Sequence, residues 1–316
     1  MSDLTPAAQR WLAAHHGVIT TTQLRQAGVG RKTQDRLVAR GVLVRVHKGV
    51  FVVASTPATL HQRCAALCAA HRSGFVTGPT AGVLLGLRRV PTNSAIHFSI
   101  RHGAKVPAEH GVRFRQTTML RPSDREVRPD GIAVASGARL AFDLAADLRA
   151  LDHLSVLNQL LHERRTDIDE LAAIGRRLAH PARRGSTTFM RNLAQLGAAP
   201  LESHPEVVLA DALRRRNVPI EHQSVLANLP DGRTARIDLA VPAIRWGIEL
   251  DIHPEHLTVE GGAGDARRNR QAHMVGWQIE PVTATDMADV EHLSDELATL
   301  YHLRRRAVAA TDRRVS

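Results

Sequence analysis

Arg236-Ile-Asp238-Leu-Ala-Val-Pro-Ala-Ile-Arg-Trp-Gly-Ile-Glu249-Leu-Asp251 is the stretch on which the reading of this chain turns. Period-two alternation predicts two short strands. Ile237, Leu239 and Val241 then share one face of the first strand, with Asp238 on the other. Trp246, Ile248 and Leu250 share a face of the second, with Glu249 and Asp251 opposite them. A turn near Ala243 and Ile244, with Pro242 at its edge, sets Asp238 against Glu249. Like charges facing each other destabilise a ladder. A hard cation such as Mg2+ takes carboxylate oxygens and would relieve that repulsion. An exposed hairpin with its acids in water satisfies the same pattern, so both readings stand on this stretch alone.

Upstream lies His204-Pro-Glu206-Val-Val-Leu-Ala-Asp-Ala-Leu-Arg-Arg-Arg216. Ser203 is the expected N-cap of a helix, and Pro205 suits its first turn. Glu206, Leu209, Ala210 and Leu213 follow helical spacing, which puts the acid on the apolar stripe. A carboxylate there needs a partner or a metal. The alternative is that Glu206 only favours the positive end of the helix dipole.

Glu206, Gln223, Asp238, Glu249-Leu-Asp251, His253-Pro-Glu-His256, Asp265 with Arg268, and Gly276-Trp277 follow in that order. The order resembles the small nuclease-like domain related to the very-short-patch-repair endonucleases, within the PD-(D/E)XK superfamily. The resemblance covers about residues 200–290. Ile252 stands where that pattern carries Gly, and Asn269 where an Asp follows the Arg. The resemblance implies that Asp238 and Glu249 hold Mg2+ (or Mn2+), with Asp251 and Glu206 as further ligands. Such a metal activates a water and stabilises charge on a scissile phosphate, and Arg268 would bind that phosphate as a fork. The usual Lys base is replaced by Asp251, and no Lys follows Lys105. Arg stays protonated, so the base would be His253 or His256. His253 and His256 could instead form half of a zinc site with Glu255 and His273, or simply order a loop.

The chain has 316 residues, enough for two or three domains. Its net charge of +11 favours a polyanionic partner, most simply double-stranded DNA. Nearly all the cations are Arg, so compositional drift offers a plainer account of the charge. Aromatic residues are only 3 %, which argues against base-stacking platforms. Cys64 and Cys68 fall on one side of a helix among apolar neighbours and read as buried free thiols. The start Met-Ser-Asp-Leu-Thr-Pro has no apolar signal core, and no apolar run approaches a membrane span. A soluble, cytoplasmic protein with no membrane association is expected.

From the N-terminus, residues 6–16 read as a helix, and Thr21 or Thr22 caps a second that ends at Gly28. Arg31 to Arg40 is a third helix, and Val42 to Val53 reads as two strands around His47-Lys48-Gly49. This is the pattern of a winged helix-turn-helix. Arg31, Lys32, Thr33, Gln34 and Arg36, near the start of the third helix, are types that reach phosphates and base edges. Arg45, His47 and Lys48 would touch the backbone or minor groove. Winged helices also serve as protein-docking modules. Residues 58–72 and 78–87 read as helices, 95–100 and 111–115 as strands, and His97, His102 and His110 as surface histidines.

Gly17-Val-Ile-Thr-Thr-Thr-Gln-Leu, Gly41-Val-Leu, Gly49-Val-Phe and the Gly78–Leu87 helix resemble the AbiEi-type antitoxin of abortive-infection toxin–antitoxin systems, which act in phage defence. That resemblance implies a winged helix that binds the operator of its own genes, and a cognate toxin as partner. The expected class is α+β multidomain. It comprises a winged helix-turn-helix over 1–55, a small α/β middle domain over 56–130, a helical connector over 131–198, a restriction-endonuclease-like α/β domain over 199–306 and a disordered tail over 307–316. The expected function is DNA binding with metal-dependent phosphodiester hydrolysis. The alternative is a non-enzymatic transcriptional regulator or antitoxin with a degenerate nuclease domain.

Overall fold

The computed structural model describes residues 4–92, 95–104, 106, 108–196, 203–226, 229–230, 232, 234–251 and 269–315. It is a mixed α+β chain that divides into two compact units. One comprises Met1–Leu148 and Arg165–Met190; the other comprises Arg149–Arg164 and Arg191–Ser316.

The first unit starts with α1 (Pro6–Ala14), whose N-cap Thr5 accepts the Ala8 N–H. β1 (Val18–Thr20) leads into α2 (Thr21–Gln26). The cap of α2 is Thr20 rather than Thr21 or Thr22, because Gln23 reciprocates in a capping box. α3 (Arg31–Ala39) follows, then β2 (Leu43–His47) and β3 (Val50–Val53). β2 and β1 flank β3, both antiparallel to it. Ala8, Leu12, Ile19, Leu24, Val29, Leu37, Leu43 and Phe51 form the core beneath these elements.

The same unit continues with α4 (Leu60–Ala70), β4 (Phe75–Val76), α5 (Gly78–Leu84), β5 (Ile96–Arg101), β6 (Val112–Thr117), β7 (Arg125–Val127), β8 (Ala133–Ala135) and α6 (Gly137–Leu144). The strands form a five-stranded sheet in the order β6-β5-β4-β8-β7. α8 (Ile168–Leu178) also belongs to it, and α9 (Ser186–Gln195) spans the division between the units. Cys64 and Cys68 are buried free thiols, as expected, and burial pushes them up to about 12 and about 11. His97 is buried at 6 % exposure, which corrects its reading as a surface residue. It is the second residue of β5, whose first five residues are all buried.

In the second unit, α7 (Ala150–His162) and α10 (His204–Arg215) precede a four-stranded sheet. Its strands are β9 (Glu221–Leu226), β10 (Ala235–Val241), β11 (Trp246–Asp251) and β12 (Gln278–Thr283), ordered β12-β11-β10-β9. β9, β10 and β11 form an antiparallel meander, and β12 joins β11 in parallel after a helix, α11 (269–274). One face packs Leu239, Val241, Trp246, Ile248 and Leu250 against α7, α10 and the last helix, α12 (Val290–Val315). The other face carries Ile237, Ala240, Ala272 and Ile279. α12 continues to Val315, where the sequence suggested a tail from residue 307; Ala307, Ala309 and Ala310 favour helix.

Ile237 therefore does not share a face with Leu239 and Val241, contrary to simple alternation. The pleat breaks at Asp238, whose carboxylate accepts the Leu250 N–H at 2.9 Å. Ile237 turns instead over Gly247, where a Cβ would lie 2.7 Å from the Ile237 Cγ2.

Candidate functional site

Two places gather the residues singled out above. The first is α3 and the strand pair that follows it. Leu37 faces the core of the unit, while Arg31, Lys32 and Arg36 are exposed and Thr33 is half-buried. Gln34 is not on that outer surface. It is 4 % exposed, and its amide donates to the Val29 carbonyl at 2.8 Å. That corrects its assignment as a nucleic-acid contact: the side chain closes the turn between α2 and α3. Lys48 is exposed in the turn between β2 and β3, beside Gly49 at φ +73°. Arg45 is exposed, and its guanidinium sits 5.4 Å from the centre of the Phe51 ring across the strand pair. His47 is within 3.9 Å of Glu109.

The second place is the β10–β11 pair. Leu239 is opposite Ile248, Ala240 opposite Gly247 and Val241 opposite Trp246. The pairing runs from Leu239–Ile248 to the turn at Pro242–Ile244, which Arg245 closes in the left-handed region; beyond Leu239 the Asp238 carboxylate accepts the Leu250 N–H. Glu249 is 9 % exposed. The Asp251 backbone pairs with Thr283 on β12. Glu206 is 6 % exposed in the first turn of α10, where it accepts the Ser203 hydroxyl at 2.6 Å. This contact ties the Glu206 carboxylate to the helix cap. His253, His256 and Arg268 lie outside the described residues, as does the Asp251 side chain. Among the described residues, no group of three or more His, Cys, Asp or Glu is placed to hold a metal ion.

Sequence reasoning missed a buried ionic cluster in the first unit. Arg139, fully buried, donates to Asp143 at 3.0 Å and to Asp124 at 3.1 Å. Arg177 also pairs with Asp124, and the Thr77 hydroxyl donates to Asp143 at 2.6 Å. The one local signal was Arg139 and Asp143 at i, i+4 on an otherwise apolar helix.

Residues 7–54 match the family model described as "Transcriptional regulator, AbiEi antitoxin". The N-terminal segment is thus similar to the regulators of AbiEi-type toxin–antitoxin systems. A search of curated proteins gives no match. A solved structure, of the RV2827C protein from Mycobacterium tuberculosis, is 17% identical and covers 65% of this chain and 84% of that one, with a TM-score of 0.39. Among the described residues no helix is long and apolar enough to cross a membrane.

Proposed function

We propose that this chain is a DNA-binding transcriptional regulator of the AbiEi antitoxin type. Its first 55 residues act as a winged helix-turn-helix, with α2 and α3 as the paired helices and β2–β3 as the wing. One observation carries the reading. α3 commits Gln34 and Leu37 to the interior and turns Arg31, Lys32 and Arg36 outward, in a segment that matches the antitoxin family. In this reading α3 enters the major groove, and Lys48 and Arg45 on the wing approach phosphates. A cognate toxin is the expected protein partner. The test is a gel shift of the full chain on the DNA upstream of its own gene. A specific complex that is lost in Arg31→Ala/Lys32→Ala supports the reading; equal retardation of unrelated DNA and no effect of the substitutions overturns it.

A second reading adds metal-dependent phosphodiester hydrolysis by the C-terminal unit, proposed to span residues 199–306. It is supported by the element order α10-β9-β10-β11-α11-β12, by the parallel β11–β12 pair and by Asp238 and Glu249 standing on the adjoining strands β10 and β11. The donor set, carboxylate oxygens only, suits Mg2+ or Mn2+. Asp238, Glu249 and Asp251, with Glu206, would hold the ion. Bound there, it would supply positive charge at the scissile phosphate. His253 or His256 would accept the proton of the attacking water, and Arg268 would clamp the phosphate. Plasmid nicking with Mg2+ or Mn2+ tests this reading. Loss of cutting in Asp238→Ala supports it, and wild-type cutting by that variant removes it.

A further inference from the structure

In the first unit, a cleft of about 490 Å³ is lined by His102, Arg115, Thr118, Asp147, Arg183 and Arg184, among others. Its size suits a small ligand. Three guanidiniums face one carboxylate there. Arg115 is shared between Asp143 at 3.5 Å and Asp147 at 3.4 Å, both long for strong pairs. Among the described residues, neither Arg183 nor Arg184 has a carboxylate within ion-pair distance. Arg183 lies 5.0 Å over the Phe142 ring and donates to the Leu178 carbonyl at 3.4 Å.

The loop that presents these two cations is held in place. Gly185 has φ +88°, and a Cβ there would lie 2.6 Å from the Ala146 nitrogen and 2.8 Å from the Ala145 carbonyl carbon. The backbone is thus pressed on the end of α6 as closely as only glycine allows. Behind the cleft Arg139 and Arg177 are balanced by Asp124 and Asp143, so the surplus positive charge is that of the cleft's own arginines. Among the described residues, one guanidinium nitrogen of the fully buried Arg139, Nη2, has no hydrogen-bond partner. Burial, and then the neighbouring Arg139, push Arg183 below its ordinary value, with Arg115 and Arg177 adding to the same direction. Arg forks bind carboxylates and phosphates in two-point contact.

We infer that this cleft binds a small phosphate ester of mononucleotide size, held by Arg183 and Arg184, with the Thr118 hydroxyl as a further donor. Arg183 is recessed, so it meets a phosphate that enters the cleft rather than one on the convex surface of a duplex. This site is separate from the α3 surface, and its failure would leave the DNA-binding reading untouched.

The test is isothermal titration of the full chain with inorganic pyrophosphate and with AMP, in wild type, Arg184→Ala and Arg25→Ala. Arg184 and Arg25 are both exposed, and unchanged melting temperatures establish that both variants fold. The expected result is saturable one-site binding that weakens about tenfold or more in Arg184→Ala and stays unchanged in Arg25→Ala. Absence of saturable binding by both probes, or equal weakening in the two variants, overturns the inference. So does a short DNA duplex whose binding depends on Arg184 while neither small probe binds.

Discussion

The Asp238 carboxylate accepts the Leu250 backbone N–H at 2.9 Å, from one strand of the β10–β11 pair to the other. Asp238, proposed as a metal ligand, therefore also has a structural task. Asp238→Ala leaves a part-buried N–H without its acceptor, at a cost of about 1–3 kcal/mol. Asp238→Asn keeps a carbonyl oxygen and should recover most of that stability in urea unfolding. If hydrolysis depends on the charge, both variants lose nicking equally. Parallel losses of stability and nicking across the two would instead make Asp238 structural.

Arg139 ties Asp124 to Asp143 in the interior of the first unit. Arg139→Met strands two buried carboxylates, although Arg177 and Thr77 still reach them. Breaking a buried network this way costs about 3–5 kcal/mol. Chemical unfolding of the variant should show that loss, and a change under about 1 kcal/mol would mean that the cluster contributes little.

His222 is half-buried beside Arg214, whose guanidinium donates to its Nε2, and among the described residues its Nδ1 has no hydrogen-bond partner. Burial first, and Arg214 second, push it down to about 4. The unfolded chain takes up a proton near the ordinary value of about 6.5, where the folded chain does not. Stability is therefore full above that value and falls as the pH drops through about 4. The slope is at most about 1.4 kcal/mol per pH unit. His222→Gln should flatten the unfolding free energy over that window, and an unchanged slope would assign the dependence to other groups.

Gly185→Ala places a methyl group against the Ala145–Ala146 backbone in a left-handed conformation. The expected cost is about 1–3 kcal/mol, or a displaced loop. Pyrophosphate binding should weaken with it, because Arg183 and Arg184 leave their places. A variant of wild-type stability and pyrophosphate affinity would show that the loop needs no such lock.

The N-terminal elements were legible because their signals are local. Gly28, Gly41 and Gly49 all take positive φ where turns were read, and the hydroxyl caps fall within a residue of their expected places. The β10–β11 hairpin was legible because Pro242 and a short turn leave one pairing, whereas the break at Asp238 was not. β1, β4, β7 and β8 were not read, since strands of two or three residues carry no periodicity. Gln34 was misjudged because its residue type, not its position toward the Val29 carbonyl, guided the reading. The Asp124–Arg177 pair spans 53 residues of sequence, so neither residue announces the other. The cleft of Arg115, Arg183 and Arg184 likewise joins a sheet edge to a distant loop.

In the proposed function α3 grips DNA through Arg31, Lys32 and Arg36. Fluorescence anisotropy of a labelled duplex from upstream of the gene, titrated with the full chain over a range of salt, reads it directly. Each phosphate contact adds about 0.9 to the slope of log affinity against log salt. The Arg31→Ala/Lys32→Ala/Arg36→Ala variant should bind much more weakly, with a slope shallower by about 2 to 3. A correctly folded variant with the affinity and slope of the wild type would contradict the account.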